Sequence, residues 1–196
     1  RRLDSEGQGA ELTEVVAVCL REREATLLSI ELDGWVWPIT LLPDRSLYRA
    51  PIDWSEAPPA GLARARLLGC EPALPAPRLT SQRKRWSMPP CHYRLDGLIW
   101  TLALRGPRSQ LLGALQGPLR FGLACRACDA ADAGLPGALG SALRRLRDTT
   151  AALDEIARWP GLDAKRASRL INGLYLSSRL VIVDTHQRRA AERAAW

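Results

Sequence analysis

The chain has 196 residues, enough for one or two domains with a real core, and 46% of them are apolar, which excludes a disordered chain. A formal charge of +7 permits an acidic partner such as nucleic acid, a membrane surface or an acidic protein. Nearly all the cations are arginine, so a solvated arginine-rich surface is the simplest account of that charge. No apolar run of ~18 residues occurs, so no membrane-spanning helix is expected, and no signal peptide is read.

Arg1 to Gly9 reads as a loose polar lead-in. From Glu11 to Arg23, Leu12, Val15, Val16, Cys19 and Leu20 recur at the spacing of one helix face, which predicts an amphipathic helix. Ala25 to Leu32 reads as a strand, Asp33-Gly34 as a two-residue hairpin turn, and Trp35 to Leu42 as the returning strand. Pro38 lacks a donor for a ladder, so an edge or a bulge is expected there. Pro43-Asp44 turns the chain into a third short strand, Ser46 to Ala50. A meander of this kind needs a cover for its apolar face, and the preceding helix is the nearest one. Trp35 and Trp37 lie two apart on a strand and share a face. They form core if that face is covered and an apolar protein-contact patch if it is open.

From Pro51 onward prolines accumulate, and Pro72 to Pro90 reads as an extended connector. It contains Arg78, Arg83, Lys84, Arg85 and Trp86, a basic run that an exposed linker explains more simply than a nucleic-acid site. Leu95, Leu98, Ile99 and Leu102 predict a helix over 95–104, ended by Gly106-Pro107. Leu111 to Leu115 and Leu119 to Ala124 flank Gln116-Gly117-Pro118 in the manner of a hairpin. Asp129 to Gly140, rich in Ala and Gly, reads as a loop, and Ser141 to Arg147 as the start of a helical lead.

Chemistry is sparse. Cys125-x-x-Cys128 lacks two further ligands at zinc spacing, because Cys91 and His92 are poorly placed to complete a site, so no metal is expected. The five cysteines, odd in number and scattered, point to a reducing, cytoplasmic setting. His92 and His186 have no nucleophile arrangement beside them, and no Gly-rich phosphate loop occurs. A non-enzymatic chain without cofactor is expected. Met88 is the sole methionine, which suggests a fragment or a processed product.

The densest pattern runs from Asp148 to Asp184. Thr149 or Thr150 can cap a first helix whose buried side is Ala152, Leu153, Ile156 and Ala157. Trp159-Pro160-Gly161 stops it, and Asp163 caps a second helix with Ala164, Ala167, Leu170, Ile171 and Leu174 inside. Lys165, Arg166, Ser168, Arg169 and Asn172 fall outside that inner face. Leu180 to Val183 then reads as a strand. This order resembles a winged helix-turn-helix. The resemblance implies that Lys165, Arg166, Arg169 and Asn172 read DNA from the helix Ala164–Leu174. It departs in the wing, because no second strand follows Leu180 to Val183, and that favours a module packing against protein.

The expected fold class is α+β: a small α/β unit over 10–70, a Pro-rich basic linker over 71–93, and a helical, winged-helix-like part over 94–196. The layout resembles bacterial signalling adaptors of the PATAN type. That resemblance implies protein contacts with response regulators or small GTPases. Two functions follow as expectations: an adaptor, or a DNA-binding regulator using the helix Ala164–Leu174.

Overall fold

The computed structural model describes residues 11–56, 59–73, 91–124, 135 and 137–184, without the side chains of 59 and 60. The lead-in Arg1–Gly9, the basic run Arg78–Trp86, the Cys125–Cys128 pair, most of the expected 129–140 loop and everything after Asp184, His186 included, lie outside the described residues. The fold is α+β. It divides into two compact units, Arg1–Arg108 and Ser109–Trp196.

In the first unit the predicted helix is α1, Leu12–Glu22, with Leu12, Val15, Val16 and Cys19 buried and Leu20 half-buried. Arg108 ties down its first turn through ion pairs to Glu11 and Glu14. Strands β1, Thr26–Leu32, and β2, Trp35–Leu42, form the predicted hairpin. Asp33 (φ 52°) and Gly34 (φ 81°) both take the left-handed backbone that a two-residue turn needs between twisted strands. β3, Leu47–Ala50, completes the meander. A four-residue helix follows, α2, Pro59–Leu62.

Two further strands were not predicted. β4, Arg66–Pro72, pairs with β1, and β5, Cys91–Arg94, pairs with β3. The all-antiparallel sheet runs β4-β1-β2-β3-β5. β5 leads directly into α3, Leu95–Arg105, at the predicted helix. Both belong to the first unit, so that unit extends to Arg108 rather than ending near residue 70. Pro38 proves compatible with a central strand. β3 pairs β2 only from Thr40 to Leu42, so at Pro38 the strand is flanked by β1 alone.

Alternation puts Leu28, Ile30, Ile39, Leu41, Tyr48 and Ala50 on one sheet face, and all six are buried. The same core holds Leu62 of α2 and Leu95, Leu98, Ile99 and Leu102 of α3. A polar cluster closes it. The Tyr48 hydroxyl donates to Asp53 (2.6 Å) and accepts from the Trp54 backbone N–H (2.7 Å), and Ser55 donates to the same Asp53 oxygen through its backbone (2.9 Å) and its hydroxyl (2.6 Å).

The second unit contains β6, Leu119–Leu123; α4, Ala138–Asp148; β7, Ala151–Ala152; α5, Leu153–Ala157; α6, Ala164–Leu176; and β8, Leu180–Asp184. Its sheet runs β7-β6-β8, all antiparallel. This corrects two expectations. The hairpin around Gln116-Gly117-Pro118 does not form: Gly113–Leu115 is a 3-10 turn, and β6 pairs with strands far along the chain. The neighbour expected to be missing beside Leu180–Val183 is β6, which precedes the helices instead of following them.

α5 starts later than its threonines suggested, because Ala151 and Ala152 are used as a strand. Glu155 then accepts from the Ala152 N–H (3.3 Å) and grips Arg120 of β6 with both oxygens (2.9 Å each), while Arg120 also reaches the Thr150 carbonyl (2.7 Å). Arg120 holds the Glu155 carboxyl below the usual carboxylate range. The turn after α5 is as predicted, with Gly161 at φ 77° and Asp163 accepting from the Arg166 N–H (2.7 Å). Ile156, Ala167, Leu170, Ile171 and Leu174 are buried; Leu153 is half-buried and Ala164 exposed.

Candidate functional site

The helix expected to read DNA is α6. A surface helix buries one stripe, yet eight of the thirteen residues here are buried. The second covered side holds Asn172. This side chain is 1% exposed. Its carbonyl oxygen accepts from the Leu112 N–H (3.0 Å), and its amide donates to the Gln110 carbonyl (2.8 Å). One Asn amide thus satisfies a donor and an acceptor of a passing loop, as a buried side-chain amide must. Leu112 and Leu115 of that loop are themselves fully buried.

Asn172 is therefore not available to a base edge. Ser168, also buried, bonds the Ala164 carbonyl of its own helix (2.8 Å). Arg169 is half-buried and engaged, and burial pulls its guanidinium below its usual value against the opposing influence of Asp163. Only Lys165 and Arg166 stand exposed, in the first turn, and Arg166 donates to the Gly161 carbonyl (2.9 Å). Of the four expected readers, the fold leaves two in the open and ties one into the interior. The residue type at 172 gave no warning, because the groups it serves lie some sixty positions earlier.

The other expected site is the tryptophan pair. The register sets Trp37 opposite Ile30 and Trp35 opposite Leu32, so both project from the core-side face of the sheet. Trp37 is half-buried, whereas Trp35 is 72% and Val36 58% exposed. The hairpin thus carries its apolar row past the end of the core, and the row finishes on an open indole. Singly exposed apolar residues are common; Val36, next along the strand, points from the opposite face, so Trp35 and Trp37 alone share the open end of this row.

Among the described residues, no three His, Cys, Asp or Glu side chains gather as a metal site requires. Among them, too, no helix is long and apolar enough to cross a membrane. Comparison with protein-family models, with curated proteins and with solved structures returns no match.

Proposed function

We propose that this chain is a non-enzymatic regulatory adaptor that acts through protein contacts in the cytoplasm. In this reading the second unit is a winged helix-turn-helix opened in its wing. Its order, strand–helix–strand–helix–helix–strand with β6 in the middle of the sheet, is what such a domain gives when its last strand is moved to the front. The observation that carries the adaptor reading is the partial cover over α6: Gln110 and Leu112 are fastened to Asn172 and take that residue out of the side a reading helix presents, which leaves only the first turn of that side open. The resemblance to PATAN-type adaptors points to receiver domains of response regulators or to small GTPases as partners, with Trp35 and, on the same sheet face, Trp37 as the contact residues. A second reading, duplex binding, rests on Lys165 and Arg166 alone, since both are exposed at the start of α6.

The two readings separate in paired titrations. Fluorescence anisotropy with labelled duplexes at physiological salt should give weak binding without sequence preference, falling steeply as salt rises. Receiver domains and small GTPases encoded beside the gene should include one that binds, and Trp35→Ser should abolish that binding. Sequence-selective duplex binding that is lost on replacing Lys165 and Arg166 together by Ala would reverse the assignment.

A further inference from the structure

The face of the first sheet opposite its core carries a cavity of about 420 Å³, within the range of small-molecule sites. Its wall is set by register. Thr40 of β2, Arg49 of β3 and His92 of β5 stand side by side in one row across three strands. Arg23, in the left-handed residue that ends α1, and Arg45, in the turn between β2 and β3, close the cavity at its rim. Leu42 and Pro43 supply an apolar floor.

The charge of this cavity is one-sided. Three guanidiniums line it against a single carboxylate, that of Asp44. Among the described residues, none of the three arginines is in an ion pair. Arg49 is held in place by a bond from one nitrogen to the Thr40 hydroxyl (3.2 Å), and Thr40 is buried. That bond orients the fork and leaves its other N–H groups free to donate. A carboxylate has one negative charge to share among three such forks, whereas a phosphate ester carries about 1.5 to 2 and offers three acceptor oxygens. Guanidinium forks also match phosphate geometry two bonds at a time.

We propose that this cavity binds a small phosphate-bearing molecule of about mononucleotide size, with Arg49 as the fixed anchor, Arg23 and Arg45 closing on the phosphate, and Leu42 and Pro43 receiving the less polar remainder. The site lies wholly in the first unit and does not depend on the adaptor reading.

The test is calorimetric titration of the full chain with pyrophosphate and with AMP at low ionic strength. Saturable one-site binding is expected, weakened at least tenfold by Arg49→Gln and by Arg45→Glu but unchanged by Arg64→Gln, which alters an exposed arginine paired with Asp33 near the hairpin turn. Arg45 is exposed in a turn, so its variant decides the matter even if Arg49→Gln perturbs folding. AMP binding more tightly than pyrophosphate assigns the floor to a base; equal binding assigns the site to the phosphate group alone. Binding that does not saturate, that responds equally to all three substitutions, or that occurs only with duplex DNA would overturn the proposal.

Discussion

Asn172→Ala separates a structural clamp from a DNA reader. The substitution removes two hydrogen bonds and strands their partners, the Leu112 N–H and the Gln110 carbonyl. A buried polar group left without its partner costs about 1–3 kcal/mol, and the loop can recover part of this by peeling away into water, so about 2–4 kcal/mol is expected for the pair. The sharpest probe is native-state hydrogen exchange at the Leu112 amide, because it reports on the second unit alone. In the unaltered chain this amide should be strongly protected, since Leu112 is fully buried and its N–H is bonded. In the variant its exchange should accelerate by roughly 30- to 700-fold, the equivalent of the same free energy. A urea melt followed by circular dichroism should show a matching loss. An unprotected Leu112 amide in the parent chain, or a loss under about 0.5 kcal/mol in the variant, would refute the clamp. Unchanged stability with an altered base preference would restore Asn172 as a reader.

Ile171 of α6 is fully buried, so Ile171→Ala should cost about 2–5 kcal/mol in a denaturant melt. Burial alone would raise the Asp53 carboxyl, but the bonds from Ser55 and Tyr48 outweigh it and hold the group below its ordinary value. The folded state therefore releases this proton more readily than the unfolded chain, and Asp53 contributes stability that is present above about pH 4 and lost as pH falls through the depressed value. Urea melts across that acid range should show a shallower decline for Asp53→Asn than for the parent. Burial, with Cys19 beside it, pushes the Cys70 thiol up to about 12, and burial also raises Cys19. Because the thiolate is the nucleophile, peptide mapping after iodoacetamide at mildly alkaline pH should find exposed Cys91 alkylated well before Cys19 or Cys70; early labelling of Cys70 would contradict that placement.

The parts legible in the sequence are those whose cause is local. The Leu12–Cys19 spacing, the Asp33-Gly34 turn and the Leu95–Leu102 face each announce themselves within a dozen residues, and each element formed where expected. The turn at Trp159–Gly161 and the Asp163 cap belong to the same class. What escaped is what depends on distant partners. β4 sets Leu67 and Leu68 side by side without clean alternation, and a bulge beside Ile30 breaks its register. β7 has two residues, too few to show a period. Nothing near Phe121 points to Ile182, so the sequence alone suggests a neighbouring partner for β6 in place of the distant one it has. Asn172 reads as an outward residue because polarity suggests exposure, whereas a buried polar residue is recognised only through the groups it satisfies. The cationic cavity was invisible for the same reason: Arg23, Arg45, Arg49 and His92 meet only once the strands are in register.

The position of β6 in the chain also dictates when the second unit can be completed. During synthesis β6 leaves the ribosome ahead of every helix and strand it will pack against. Its longer partner, Leu180–Asp184, is the last described element to emerge, and β7 covers only two of its residues. Until then one edge of Leu119–Leu123 is unpaired and Phe121 has no finished core to enter, the condition in which nascent strands self-associate. The helices between the two strands must also draw distant ends together, which places this closure among slow, high-contact-order events. A nascent chain stalled before Leu180 would hold the middle of a sheet without its flank, a natural client for a chaperone that recognises extended apolar segments.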